Sequence, residues 1–94
     1  MDFIWDSEKA SINQEKHGVD FADVVTVFED LYLLSREDPS AEGEQRFIAV
    51  GMDAQGRIHT VVYTYRGENI RLISARPASS RERRTYENRR FRDG

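Results

Sequence analysis

The chain has 94 residues, enough for one domain with one modest core. It has no cysteine, which excludes disulfide scaffolds, thiolate zinc sites and cysteine nucleophiles, and its two histidines, His17 and His59, are far apart in sequence, so neither a transition-metal site nor a cofactor is expected. The net charge of -3 hides a segregation: residues 1–70 carry 6 Lys/Arg against 14 Asp/Glu, whereas residues 71–94 carry 8 Arg against 3 acids.

The N-terminus lacks the basic and apolar regions of a secretory signal, and no apolar run approaches the ~20 residues that span a bilayer, so a soluble, cytoplasmic protein without membrane contact is expected. Phe3-Ile4-Trp5 reads as a short strand. Asp6 then caps a helix that ends at His17-Gly18, where glycine suits a left-handed C-terminal cap. At 100° per residue, Lys9, Asn13, Lys16 and His17 fall within an arc of roughly 100°. Ile12 lies beside that arc, so the polar face is expected to turn towards the domain as a cleft wall. The plainer alternative is that the two lysines snorkel along a core edge while His17 caps the helix.

Asp20 caps a second helix in which Phe21, Val24, Val25 and Phe28 repeat at the spacing of a buried helical stripe. Leu31-Tyr32-Leu33-Leu34 begins a strand that dissolves into residues 36–44, an acidic stretch with proline and glycine read as a mobile surface loop. Gln45 to Met52, Arg57 to Tyr65 and Asn69 to Arg76 then form an antiparallel meander joined by two short turns. Ser79 and Glu82 have the spacing of a capping box, which opens a basic C-terminal helix over about 79–92. Its large apolar residues are Tyr86 and Phe91 alone, so the sheet edge or a partner chain must hold it. The expected fold is α+β, residues 1–94 forming one domain: an antiparallel sheet with two N-terminal helices packed on it and a C-terminal helix.

Strand alternation puts Arg71, Ile73 and Ala75 on one face and Ile70, Leu72, Ser74 and Arg76 on the other. Pro77 holds Arg76 at a strand terminus, where its side chain can swing over the sheet edge. Arg46 shares a face with Ile48 and Val50 and could equally pair with Glu44 or Glu68. His59 reads as a histidine satisfied on a half-buried sheet. The arginine-rich limb suits RNA, DNA or an acidic protein partner, because guanidinium groups fork onto phosphate and carboxylate alike.

Four segments together resemble the BrnT family of bacterial toxins: Trp5-Asp6-x-x-Lys9-x-x-x-Asn13-x-x-Lys16-His17-Gly18-Val19-x-Phe21, Glu44-x-Arg46-Phe47-Ile48-x-x-Gly51, Arg71-x-Ile73-Ser74-Ala75-Arg76-x-Ala78 and Glu82-Arg83-x-x-Tyr86. Pro77 departs from the residue expected after the Ile-Ser-Ala-Arg run. The resemblance implies a RelE/ParE-like fold and a type II toxin–antitoxin module in which the toxin cleaves RNA without a metal. It also implies a ribbon-helix-helix antitoxin, BrnA, that neutralises the toxin, and promoter DNA contacted only through the complex.

Such cleavage needs a base for the 2′-hydroxyl, an acid for the leaving 5′-oxygen and fixed cations around the phosphorane. The expected catalytic set is Lys16, His17, Arg71, Arg76 and Tyr86, with Lys9, Asn13, Arg46 and Arg83 binding substrate. His17, at a helix C-terminus, suits a general acid or a phosphate contact. Base and acid stay unassigned among His17, Glu44 and Tyr86. The contrasting reading is a non-catalytic module that clasps its antitoxin and co-represses its own promoter. The apolar Leu31–Leu34 stretch and the C-terminal helix leave surface for an antitoxin helix or strand, and the free protein is expected to dimerise weakly if at all.

Overall fold

The computed structural model describes residues 2–93. In chain order they form β1 (Phe3–Ile4), α1 (Ser7–His17), α2 (Phe21–Val24) with a 3₁₀ turn (Val25–Glu29), β2 (Leu34–Glu37), β3 (Phe47–Met52), β4 (Ile58–Arg66), β5 (Asn69–Pro77) and α3 (Ser80–Asp93). Among the described residues, five strands make one sheet in the order β1-β5-β4-β3-β2. The sheet is mixed, which corrects the all-antiparallel expectation. The chain returns to β1 only after α1, α2 and the meander, so β5 runs parallel to β1, pairing Phe3 with Ile70 and Ile4 with Arg71.

The caps of α1 match the sequence. Asp6 accepts hydrogen bonds from the backbone N–H groups of Glu8 at 2.8 Å and Lys9 at 3.5 Å, and Gly18 turns left-handed at φ 69°. The second helix is shorter than its periodicity predicts. It tightens after Val24 into the 3₁₀ turn, so the buried stripe becomes Phe21, Val24 and Val27, at a spacing of three, while Val25 and Phe28 are half-buried. Asp30 ends this segment by accepting from the Tyr32 N–H at 2.9 Å, which turns the chain before β2. Leu31 and Tyr32 are therefore turn residues, and Arg36 and Glu37, expected in the loop, belong to β2.

Two cross-strand rows face α1 and α2: Ser35–Ala49–Val61–Ala75 and Glu37–Phe47–Tyr63–Leu72. A bulge between Val62 and Tyr63 resets the alternation against β5, so Leu72 and Ala75 both point inward, where simple alternation separates them. Together with Phe21, Val24 and Val27, the Ala49, Val61, Tyr63, Leu72 and Ala75 side chains of these rows make the core. Gly51 is required by closeness: a Cβ there would lie 2.6 Å from Leu33 Cδ1 and 3.3 Å from Val27 Cβ. Among the described residues no helix is long and apolar enough to cross a membrane.

Candidate functional site

The side chains between the core positions face away from α1 and α2. Cross-strand partners give the rows Arg36–Ile48–Val62–Ser74 and Leu34–Val50–Thr60–Arg76, and Thr64 stands opposite Arg71. Arg46, two positions before Ile48, continues the same alternation beside Thr64. Arg36, Arg46, Arg71 and Arg76 therefore share the outer face of the sheet, around the half-buried Ile48, Val62 and Ser74. Arg71 also lines a cavity of about 430 Å³ with Ile4, Trp5, Asp6 and Arg66.

The four arginines differ in how they are held. Arg76 meets Glu82 of α3 through both terminal nitrogens, at 2.7 and 3.0 Å. This hydrogen bonding raises the Arg76 pKa and, with help from the Ser79 N–H, lowers that of Glu82 to about 2. Glu82 is thus ionised at neutral pH. The Nε of Arg46 is buried with no hydrogen-bond partner among the described residues. Glu44, a candidate partner for Arg46, instead pairs with Arg66 at 3.2 Å.

Helix α1 divides the arc of four polar residues. Asn13 is buried: its amide nitrogen donates to the carbonyls of Val19 at 3.0 Å and Ala75 at 2.9 Å, and its Oδ1 accepts from the Ala75 N–H at 3.0 Å. It thus occupies the edge of β5 beyond the end of the two-residue β1, completing backbone pairing that no strand supplies there. Both N–H donors of its amide and its Oδ1 are thus engaged by backbone. Lys9, Lys16 and Ile12 are exposed, so Ile12 does not turn inward as expected, and His17 is half-buried on the flank with Ala10 and Asn13. Gly18 and Pro77 line one cavity, which places His17 and Arg76 at neighbouring ends of α1 and β5.

Tyr86 is fully buried. Its hydroxyl donates to Asp30 Oδ2 at 2.5 Å and accepts from Arg90 at 2.9 Å. Burial and the adjacent Asp30 raise its pKa. Burial opposes ionisation of Asp30, yet the bonds from Tyr86 and the Met52 and Tyr32 N–H groups outweigh it and lower the Asp30 pKa. This network ties α3, through Asp30, to Met52 at the end of β3. Arg83 is exposed on α3 and lines the cavity shared with Gly18, His59 and Pro77.

Sequence reasoning missed Arg36, whose alternation with Leu34 was masked by the acidic, proline-containing run that follows. It also missed Asp53, which accepts from the His59 Nε2 and Arg57 Nε at 2.8 and 2.9 Å. His59 is accordingly satisfied at Nε2, as expected, but fully buried, with Nδ1 unpartnered among the described residues. No group of three or more His, Asp or Glu side chains among the described residues is gathered closely enough to hold a metal ion.

Comparison with known proteins defines the class first. The crystal structure of the ribonuclease toxin BrnT from Brucella abortus is similar to this chain with a TM-score of 0.64 and 31% identity, covering 85% of this chain and 99% of that one. The chain itself belongs to the BrnT family, the ribonuclease toxins of type II toxin–antitoxin systems, whose family model matches residues 5–82. No curated protein sequence matches it significantly.

Proposed function

We propose that this protein is a cytoplasmic endoribonuclease that cleaves cellular RNA by attack of the 2′-hydroxyl, without a metal, and so arrests translation. The observation that carries this reading is the gathering of Arg46, Arg71 and Arg76 on the sheet face that turns away from α1 and α2. Fixed guanidinium groups at such a face stabilise the charge that grows on a phosphorane, and they need no reorganisation as it forms. In this reading Arg71 and Arg46 grip phosphate, Arg76 adds charge at the strand end, and His17 exchanges a proton from the neighbouring end of α1. Lys9 and Lys16, exposed on α1, steer the RNA backbone, as does Arg83 on α3. Asn13 and Tyr86 act structurally. A RelE/ParE-like fold and neutralisation by a BrnA-like ribbon-helix-helix antitoxin, through which promoter DNA is contacted, belong to the same proposal.

A second reading, an antitoxin-binding co-repressor without catalysis, is favoured by one observation: both terminal nitrogens of Arg76 are already committed to Glu82. The test is cleavage of purified total RNA in excess EDTA by the wild-type protein beside Arg46→Ala, Arg71→Ala and His17→Ala proteins of verified fold. Cleavage by the wild type, slowed at least about 10-fold in each variant, is expected. Undiminished cleavage by both arginine variants would move the site off this face, and an inert, folded wild type would favour the co-repressor.

A further inference from the structure

At its β1 edge the outer face of the sheet runs into the cavity of about 430 Å³ lined by Ile4, Trp5, Asp6, Arg66 and Arg71. Strand register explains why these residues meet. Ile4 pairs with Arg71 across the parallel ladder, Arg71 stands opposite Thr64, and Arg66 follows Thr64 by two positions, so Ile4, Arg66 and Arg71 share one face. Trp5 and Asp6 follow directly as the chain leaves β1 for α1. Trp5 is 37% exposed, and an edge-on contact with Phe21 at 6.0 Å braces its ring. The charged groups of the lining are held differently. Arg66 gives one terminal nitrogen to Glu44 at 3.2 Å, and Asp6 uses Oδ1 to cap α1. Asp6 Oδ2 and the Arg71 guanidinium have no hydrogen-bond or ion-pair partner among the described residues. Opposite charges thus line one cavity without closing on each other.

We infer that this cavity takes a guanine base of the RNA. Trp5 stacks on the ring, Asp6 reads its Watson–Crick edge, Arg66 its O6 and N7 edge, and Arg71 holds an adjoining phosphate. The inference rests on the ribonuclease reading above and names a base subsite for it. A base that fits this lining must offer donors to a carboxylate and acceptors to a guanidinium. Guanine does both: its N1–H and N2 amino group lie side by side on one edge, and O6 and N7 accept on another. Adenine sets a single amino group between two acceptors, cytosine sets one beside an acceptor, and uracil holds its N–H between two carbonyls. None of these presents two adjacent donors to Asp6. Other occupants meet the wrong charge: a bare phosphate would lie against the Asp6 carboxylate, and a lysine or arginine from a protein against Arg66 and Arg71. Stacking on tryptophan is open to every base, so Trp5 supplies affinity and Asp6 supplies the choice.

Trp5 is the sole tryptophan of the chain, so intrinsic tryptophan fluorescence reports on this cavity directly. The test titrates the protein with guanosine, adenosine, cytidine, uridine and inosine 5′-monophosphates, the last lacking only the N2 amino group of guanine. Half-quenching by guanosine monophosphate is expected at a concentration at least about 10-fold lower than for any of the others. Asp6→Asn keeps a helix-capping side chain and should keep the wild-type melting temperature. In that variant the advantage of guanosine over adenosine and inosine monophosphate should fall to about 2-fold or less. Equal quenching by the four natural nucleotides, no quenching at all, or a guanine preference that survives Asp6→Asn would each overturn the subsite. Cleavage of total RNA, followed alongside, separates this inference from the reading beneath it. Guanine-selective quenching in a protein that does not cut RNA would support the subsite and overturn the nuclease. Cleavage without guanine selectivity in the titration would overturn the subsite and leave the nuclease standing.

Discussion

Glu82, in the first turn of α3, holds Arg76, at the end of β5, with both oxygens of its carboxylate. The same Oε1 accepts from the Ser79 N–H at 2.8 Å, while Ser79 Oγ accepts from the Glu82 N–H at 3.2 Å. A reciprocal cap that would normally serve one helix end therefore also ties that end to the sheet. It fixes the direction of a guanidinium on the face proposed to meet RNA, and it leaves α3 anchored at its start by Arg76 and at its middle by Tyr86.

This pair should make stability fall with acid. Hydrogen bonds from Arg76 lower the Glu82 pKa from its usual 4.5 to about 2 in the folded state. A depressed carboxylate pKa contributes stability that is fully present above the unfolded value and lost as pH falls through the folded one, so the window runs from about 4.5 down to about 2. The Arg76 side chain is 43% exposed, and solvent screening reduces the effect. Glu82→Gln is expected to cost about 1–2 kcal/mol at pH 7 and to flatten the pH dependence across that window. Thermal melts of both proteins from pH 7 to pH 3 check this; parallel curves would show the pair to be energetically idle.

Asn13 is expected to be among the most sensitive positions of α1. Its replacement by Ala leaves the Ala75 N–H and C=O and the Val19 C=O without their partner in a buried setting. Unsatisfied buried groups cost about 1–3 kcal/mol each, and partial access of water lowers the sum, so a loss of about 2–4 kcal/mol is expected. Urea unfolding measures it, and the Ala75 amide should exchange with solvent much faster in the variant. Lys9→Ala, one turn earlier and exposed, should leave stability within about 0.5 kcal/mol of wild type.

Such contrasts mark what the sequence made legible. Local chemistry was readable: the Asp6 and Gly18 caps, the Ser79–Glu82 box and the three-strand meander all follow from residue type and spacing. What required the third dimension was the use made of a polar side chain. Asn13 falls in the same helical arc as Lys9 and Lys16, and periodicity alone cannot tell a residue that plugs a strand edge from one that meets a substrate. Tyr86 likewise reads as a proton carrier in sequence, where its contact with Asp30, 56 positions earlier, is invisible. The bulge between Val62 and Tyr63 defeated the alternation in β5, because inserting one residue exchanges the faces of everything beyond it. On the outer face, Arg46 and Arg71 were both singled out in sequence, but their sharing of it depends on the register of three strands.

Tyr86→Phe separates a structural tyrosine from a catalytic one. The ring keeps its packing and loses only the hydroxyl between Asp30 and Arg90. Asp30 retains the N–H groups of Met52 and Tyr32, at 2.8 and 2.9 Å, so its carboxylate stays partly satisfied. The expected cost is about 1–2 kcal/mol in urea unfolding. RNA cleavage by the folded variant should remain within a few-fold of wild type; a loss of 100-fold or more with stability intact would return Tyr86 to the proton-transfer machinery.

Arg71 offers the sharpest test of the outer face. Its backbone is held between Thr64 and Ile4 by strand pairing on both sides, so truncating the side chain should leave the sheet in place. Arg71 is half-buried beside the cavity formed with Trp5 and Asp6, and its proposed grip on phosphate uses a forked geometry that lysine cannot reproduce. Arg71→Lys is therefore expected to bind RNA nearly as well at low salt but to cleave it at least about 10-fold more slowly. Arg71→Ala should lose both properties, and its binding should fall less steeply with salt, by about 0.7 in the slope of log affinity against log salt concentration for single-stranded RNA. Filter binding across a salt series, run beside single-turnover cleavage, reads these quantities separately. Equal cleavage by the Lys and wild-type proteins would reduce Arg71 to a point charge and shift the forked contact to Arg46.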